Sequence, residues 1–258
     1  MLCKVKGVVL KNTEYGENDR LLTIFTHERG KMTVCVKGAR SIKSKHMPSC
    51  ELFSYSDFEL YEKQGRYWVR ESSLEESFFQ IRRSLESMYL ALYLCDVCSE
   101  FALYDEEDEQ LLRLLLNCLY LLSGDSKDRR IIKSVFELKS ASIEGFMPDI
   151  QSCSECNGVS NKFYFDVIAG TVICDKCKEK INSDYTIQDN SQTLSQILML
   201  DISLIDAMKY ILSSPVNKAF SFNLPDEELD RLSEGCQLFL LHQLERGFNT
   251  LDFYNSLV

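Results

Sequence analysis

The chain has 258 residues, 45% hydrophobic and 26% charged, so it is long and apolar enough to bury a sizeable core, and disorder is not its default state. A formal net charge of -10 argues against a protein coated all over in nucleic acid, and no segment approaches the length of a membrane span. Eleven cysteines are an odd number that fits a disulfide framework poorly; residues 1–12 show no apolar leader-like stretch, so reduced thiols and a cytoplasmic setting are expected.

The charge is unevenly placed. Residues 1–50 hold ten Lys or Arg against four acids, leaving the acidic excess to the rest of the chain. A basic end on an acidic body points to one face that binds a polyanion.

In chain order, five short runs rich in branched and aromatic residues predict strands near 3–10, 20–27, 31–37, 51–62 and 65–71. Tyr15-Gly16-Glu17-Asn18-Asp19 and Glu28-Arg29-Gly30 are turn signals between them. Five strands in about 76 residues fit a compact Greek-key barrel of the oligonucleotide-binding (OB) type, and an SH3-like barrel would give much the same pattern. From Ser77 the apolar period becomes helical, with helices expected over 82–103, 110–122 and 130–145. The acids at 105–109 suit a helix start. Leu194–Leu212 reads as a further helix, and Pro225-Asp226-Glu227-Glu228 opens another that runs toward Gly247 as its cap. The expected fold class is α+β: an N-terminal five-stranded OB-type β-barrel (1–76), then an α-helical domain (77–258) with a four-cysteine zinc module inserted at about 151–181.

Cys153-Ser154-Glu155-Cys156 and Cys174-Asp175-Lys176-Cys177 form two C-x2-C pairs seventeen residues apart. Two residues between cysteines let a tight turn aim both sulfurs at one ion, and two such turns supply a tetrahedral thiolate shell for Zn2+. Buried free cysteines or a redox pair are the competing readings. Four thiolates leave no open position for water, so the zinc is expected to be structural. Phe163–Phe165 and Thr171–Ile173 are expected to form the hairpin that carries the second pair. Cys95 and Cys98 repeat the spacing inside an apolar helical run, where both are expected to be core residues.

Lys37-Gly38-Ala39-Arg40-Ser41-Ile42-Lys43-Ser44-Lys45 places four permanent cations within nine positions, uninterrupted by an acid. On a barrel such a loop can follow a phosphate backbone; a solvated surface loop is the other reading. Lys31 and Arg20 lie on strands able to flank it. Tyr55, Phe58, Tyr61, Tyr67 and Trp68 offer rings that could stack bases, although most aromatics of a small barrel are core. The chain shows no Walker loop, no G-x-S-x-G elbow and no histidine-carboxylate metal motif, so no catalytic activity is expected.

Together, Lys6-Gly7-Val8-Val9-Leu10, Tyr15-Gly16-Glu17-Asn18-Asp19-Arg20, Phe25-Thr26, Gly30-Lys31 and Lys37-Gly38-Ala39-Arg40 resemble the N-terminal domain of the bacterial RecO family. Phe136-Glu137-Leu138, Gly145-Phe146-Met147-Pro148-Asp149 and the two cysteine pairs follow in that family's order. The resemblance implies an OB fold and a helical domain containing the zinc module. It implies binding of single- and double-stranded DNA and annealing of complementary strands. It also implies cooperation with RecR in loading RecA onto strands coated by single-stranded DNA-binding protein, in the bacterial cytoplasm at the nucleoid. The DNA-binding residues expected from the loop and the resemblance are Arg20, Lys31, Lys37, Arg40, Lys43 and Lys45. The acidic tail of the coat protein would suit a groove edged by Arg231, His242 and Arg246.

Overall fold

A computed structural model describes residues 2–184 and 197–258. Five strands come first: β1 (Leu2–Tyr15), β2 (Asp19–Thr26), β3 (Gly30–Val36), β4 (Tyr55–Lys63) and β5 (Arg66–Glu76). They close into a barrel in the order β1-β2-β3-β5-β4. All neighbours are antiparallel except β3 and β5, which meet in parallel through Val34 opposite Tyr67 and Cys35 opposite Trp68. This is the expected OB-type barrel. Alternate residues point inward, so Val5, Leu22, Ile24, Val34, Phe58 and Leu60 fill the interior. Register shifts between Val9 and Lys11 and between Glu59 and Leu60 bend the long strands so that the sheet can close on itself.

The chain divides into two compact units, Met1–Lys127 with Phe248–Val258, and Asp128–Gly247. In the first, α1 (Leu85–Phe101) and α2 (Glu109–Gly124) follow the barrel, and α7 (Asn249–Asn255) returns to pack on α1. Tyr89 stacks on Phe253 with centroids 3.9 Å apart, and Thr250 Oγ1 donates to Asp96 Oδ2 at 2.8 Å. Cys95 and Cys98 are core residues of α1, as their helical spacing predicts. Side chains decide where these helices begin. Ser84 Oγ accepts from Ser87 N–H, and Asp108 Oδ1 accepts from Leu111 N–H at 2.9 Å. The expected start of α1 at 82 is therefore early by about a turn, because residues 79–83 form a separate 3-10 segment. Asp105, placed by composition at a helix start, sits instead in the linker and binds Arg29 Nε at 2.5 Å.

The second unit holds α3 (Arg129–Ile143), β6 (Lys162–Asp166), β7 (Thr171–Cys174), α4 (Asp175–Asp184), β8 (Ile197–Asp201), α5 (Ile202–Ser213) and α6 (Asp226–Leu244). Helices α3 and α6 pack together around a buried ion pair, Lys133 Nζ to Glu137 Oε1 at 3.1 Å, with Lys133 also donating to the Ser233 carbonyl at 3.2 Å. At their N-terminal ends Arg130 binds Asp128, Asp226 and Asp230 at 2.7–2.8 Å. Lys139 donates to the Ile211, Leu212 and Ser214 carbonyls, satisfying the last turn of α5.

Two sequence expectations are corrected here. The apolar run expected as a helix over 194–212 begins as strand β8, and only Ile202 onward is helical; residues 194–196 lie outside the described residues. A short apolar run carries no period that separates strand from helix. The partner decides: β8 pairs antiparallel with β6, setting Leu200 opposite Phe163. The expected hairpin of β6 and β7 is thereby part of a three-stranded sheet, β7-β6-β8, with β6 at its centre. That sheet rests on α6, where Phe165 meets Phe239 with centroids 5.7 Å apart. The C-terminal cap of α6 is Glu245 at φ 50, two residues before the Gly247 that composition favours.

Candidate metal centre and nucleic-acid face

The four expected cysteines converge. Cys153 and Cys156 flank a turn in which Asn157 N–H donates to the Cys153 carbonyl at 2.8 Å and Cys153 N–H donates to Gly158 at 3.1 Å. Cys174 ends β7, and Cys177 lies in the first turn of α4, where the helix dipole favours negative charge. The two segments are tied by Ser154 N–H to the Val172 carbonyl at 2.8 Å, and by Ser160 Oγ to Asp175 Oδ1 at 2.9 Å.

All four sulfurs lie within 4.8 Å of one another, and Cys156 Sγ is 3.8 Å from Cys174 Sγ. A disulfide needs about 2.05 Å. Four sulfurs placed tetrahedrally at about 2.3 Å from one ion stand about 3.8 Å apart, so the spacing fits a metal shell and not a bridge. Burial pushes the Cys153 thiol up, but N–H groups of Cys174, Cys156 and Glu155 outweigh it and bring it down to about 6. Cys177, hydrogen-bonded to Cys156 and Cys174, is pushed up to about 12. Four thiols this close do not all ionise without a cation among them. The cluster is a set of soft donors able to hold one metal ion.

The six cations expected at DNA all lie on the barrel or its loops, in different surroundings. Arg20 Nη1 binds Glu51 Oε1 at 3.1 Å. Lys31 donates to the Ser99 carbonyl of α1 and lies over the Tyr104 ring. Arg40 Nη1 donates to the Glu17 carbonyl at 2.9 Å and to Gly16 at 3.4 Å, while Nη2 binds Glu14 at 3.1 Å. Lys45 Nζ reaches both carboxylate oxygens of Glu71 at 2.8 Å, an exposed pair that lowers the Glu71 carboxyl. Lys43 is exposed, and among the described residues neither Lys43 nor Lys37 forms an ion pair.

Two sequence landmarks turn out to be one structure. The loop after β3 is laced to the β1–β2 turn: Gly38 N–H donates to Asp19 Oδ1 at 2.9 Å and Arg40 N–H to Asn18 at 3.1 Å. Tyr15-Gly16-Glu17-Asn18-Asp19 and Lys37-Gly38-Ala39-Arg40 thus hold each other in place.

Beside this junction the β4–β5 turn adds residues that sequence reasoning left out. Gln64 and Gly65 both have positive φ, the conformation of a two-residue hairpin turn, and they set Lys63 opposite Arg66. Lys37, Tyr61, Lys63, Gln64, Arg66 and Trp68 line a surface cavity of about 380 Å3, with the Lys37 ammonium 5.1 Å from the Trp68 ring centroid. Arg66 also lines a neighbouring hollow of about 290 Å3 with Tyr15, Leu21, Thr33 and Cys35, and donates to Tyr15 Oη at 3.0 Å. The clue was present as two cations flanking Gln-Gly between apolar strands. Of the five aromatics considered, Phe58 is core, whereas Tyr61 and Trp68 line the cavity.

Two family models cover most of the chain: "Recombination protein O N terminal" matches residues 1–78 and "Recombination protein O C terminal" matches residues 82–252. A DNA repair protein RecO of Acetivibrio thermocellus is 31% identical over 255 residues, 98% of this chain and 96% of that protein. One of Alkaliphilus metalliredigens is 34% identical over 178 residues, 69% of this chain and 72% of its own length. A third, of Caldicellulosiruptor saccharolyticus, is 30% identical over 72% of this chain and 76% of its own length. With a closed five-stranded barrel, a helical body and a four-cysteine cluster in the places the resemblance implies, the chain belongs to the RecO family of DNA repair proteins.

Proposed function

We propose that this protein binds single- and double-stranded DNA through its barrel, anneals complementary strands and, with RecR, assists loading of RecA on single strands coated by their binding protein. The carrying observation is the cavity where Lys37, Lys63 and Arg66 surround Tyr61 and Trp68 on the β4–β5 side of the barrel. Strand faces and the loops after the first and fourth strands are where OB folds hold oligonucleotides, and this cavity adjoins both loops. Lys43 and the exposed Lys45 extend the positive surface; the Lys45–Glu71 pair is exposed on both sides and weakened by solvent and salt, so a phosphate can take the place of Glu71. Arg20, Lys31 and Arg40 support this face by holding strands and turns. No bond-making step is proposed. The barrel domain (1–76) binds DNA, and the helical domain (77–258) presents protein-binding surfaces to RecR and to the acidic tail of the coat protein. Among the described residues no helix is long and apolar enough to cross a membrane, and we place the protein in the cytoplasm at the nucleoid.

The metal we assign to Cys153, Cys156, Cys174 and Cys177 is Zn2+, on the donor set and its spacing. When bound it supplies a fixed crosslink between the Cys153–Cys156 turn and the β7–α4 junction.

The test is single-strand affinity against salt. Neutralising three to five phosphates gives a log-log slope of about -2 to -4 for single strands. A second reading, a zinc-ribbon adaptor that binds proteins and little DNA, draws on the carboxylate partners of Arg20, Arg40 and Lys45. Absence of binding at low salt favours that adaptor, and annealing in the presence of the cognate coat protein favours the mediator.

A further inference from the structure

We propose that the Trp68 cavity is a subsite for one unpaired nucleotide, with its base stacked on the Trp68 indole and its phosphate held between Lys63 and Arg66. This rests on DNA binding by the barrel and adds the form of DNA that the site selects.

Three observations carry it. First, the cavity of about 380 Å3 lies at the lower end of the roughly 300–1,000 Å3 that small-ligand sites span, which suits one nucleotide and not a stacked pair. Second, its walls divide by chemistry. Tyr61 and Trp68 face each other across β4 and β5, being directly paired in register, while Lys63 and Arg66 are held opposite each other at the hairpin end. A base and its phosphate need that arrangement of ring and cation, a few ångströms apart on one side of a strand pair. Third, the Trp68 ring already carries a cation: Lys37 Nζ stands over it without an ion-pair partner among the described residues. An incoming nucleotide replaces one weak contact at an exposed site and gives the displaced ammonium a phosphate to bind. In a duplex every base is stacked and paired, so none can enter without being extruded. The subsite therefore favours single strands.

Trp68 is the one tryptophan of the chain, so its fluorescence reports this cavity alone. The full-length protein is titrated with oligo-dT and, separately, with a blunt duplex of the same length. Emission is excited at the red edge, where tyrosine is silent, and binding is followed independently by anisotropy of the labelled DNA. At saturation the single strand is expected to quench about half or more of the emission and to protect the indole from acrylamide, as stacking requires, while bound duplex leaves both nearly unchanged. Trp68→Ala is expected to lower oligo-dT affinity about tenfold, with most of it restored by Trp68→Phe, which keeps a stacking face and guards against loss of the fold. Saturable oligo-dT binding with unaltered emission and acrylamide access overturns the subsite while leaving DNA binding by the barrel intact. Equal quenching by duplex overturns the selection for unpaired bases. No binding of either DNA by anisotropy removes the underlying DNA-binding reading together with the subsite.

Discussion

Arg40 and Lys37 stand three residues apart in one basic loop, yet their surroundings predict opposite consequences on truncation. In Arg40→Ala, two hydrogen bonds to the Gly16 and Glu17 carbonyls and the ion pair with Glu14 are lost together. A charged hydrogen bond is worth about 1.5–3 kcal/mol and an exposed ion pair about 0–1 kcal/mol. The side chain is 35% exposed and one bond is long, so solvent screening brings the sum to about 1–2 kcal/mol. With a urea dependence of about 2 kcal/mol/M, the midpoint of barrel unfolding should fall by about 0.5–1 M. Trp68 reports that transition, since it lies in the barrel. Lys37→Ala loses only its contact with the Trp68 ring, about 0.5–1 kcal/mol, and should move the midpoint by less than about 0.5 M. Its effect should appear in DNA binding: one phosphate contact fewer reduces the log-log salt slope by about 0.7. Urea melts and anisotropy titrations at several salt concentrations measure both quantities on the same two variants. If Arg40→Ala melts with the parent protein while its salt slope drops by about 0.7, Arg40 binds phosphate and the turn clamp contributes nothing.

Two further perturbations address the second unit. Cys174→Ser, or a strong chelator, should lower its stability by several kcal/mol, because the ion is the crosslink between two segments with few other ties. Affinity for single strands per folded molecule should be retained; circular dichroism melts paired with DNA titrations check this, and unchanged melting would exclude a structural metal. Asp128, hydrogen-bonded by Arg130, has its carboxyl held below the usual carboxylate range. Its contribution to stability is therefore complete above its unfolded pKa of about 4 and is lost as pH falls through the lower folded value. Asp128→Asn should flatten that part of the acid limb in a stability-versus-pH series, and an unaltered acid limb would show that the Arg130 cluster does not couple to folding.

How far the amino-acid sequence reaches depends on the range of the interactions that matter. Strand identity in the barrel was legible because alternation is local: Leu22, Ile24, Val34, Phe58 and Leu60 declare an inward face by themselves. The cysteine pairs were legible for the same reason, as two residues between thiols constrain a turn whatever surrounds it. Helix starts were legible only to within a turn, since the caps Ser84 and Asp108 compete with neighbouring polar residues of equal propensity. Strand β8 was not legible, because four apolar residues in a row take their conformation from β6, which pairs with them from more than thirty positions away.

The nucleic-acid face shows the same division. A run of cations fixes where positive charge is concentrated but not which cations are free, because each partner is distant in sequence: Glu51 for Arg20, Ser99 for Lys31, Glu71 for Lys45. By itself the sequence determined the basic N-terminal barrel, the four-thiol cluster and, through the landmarks they form, the family. Only the tertiary structure decided that Lys37 faces Trp68, that Lys63 and Arg66 join them, and that Arg40 is occupied with the β1–β2 turn. Closing the barrel brings β3 alongside β5 and so sets the loop after β3 against the β4–β5 hairpin at one cavity, and no local pattern encodes that meeting.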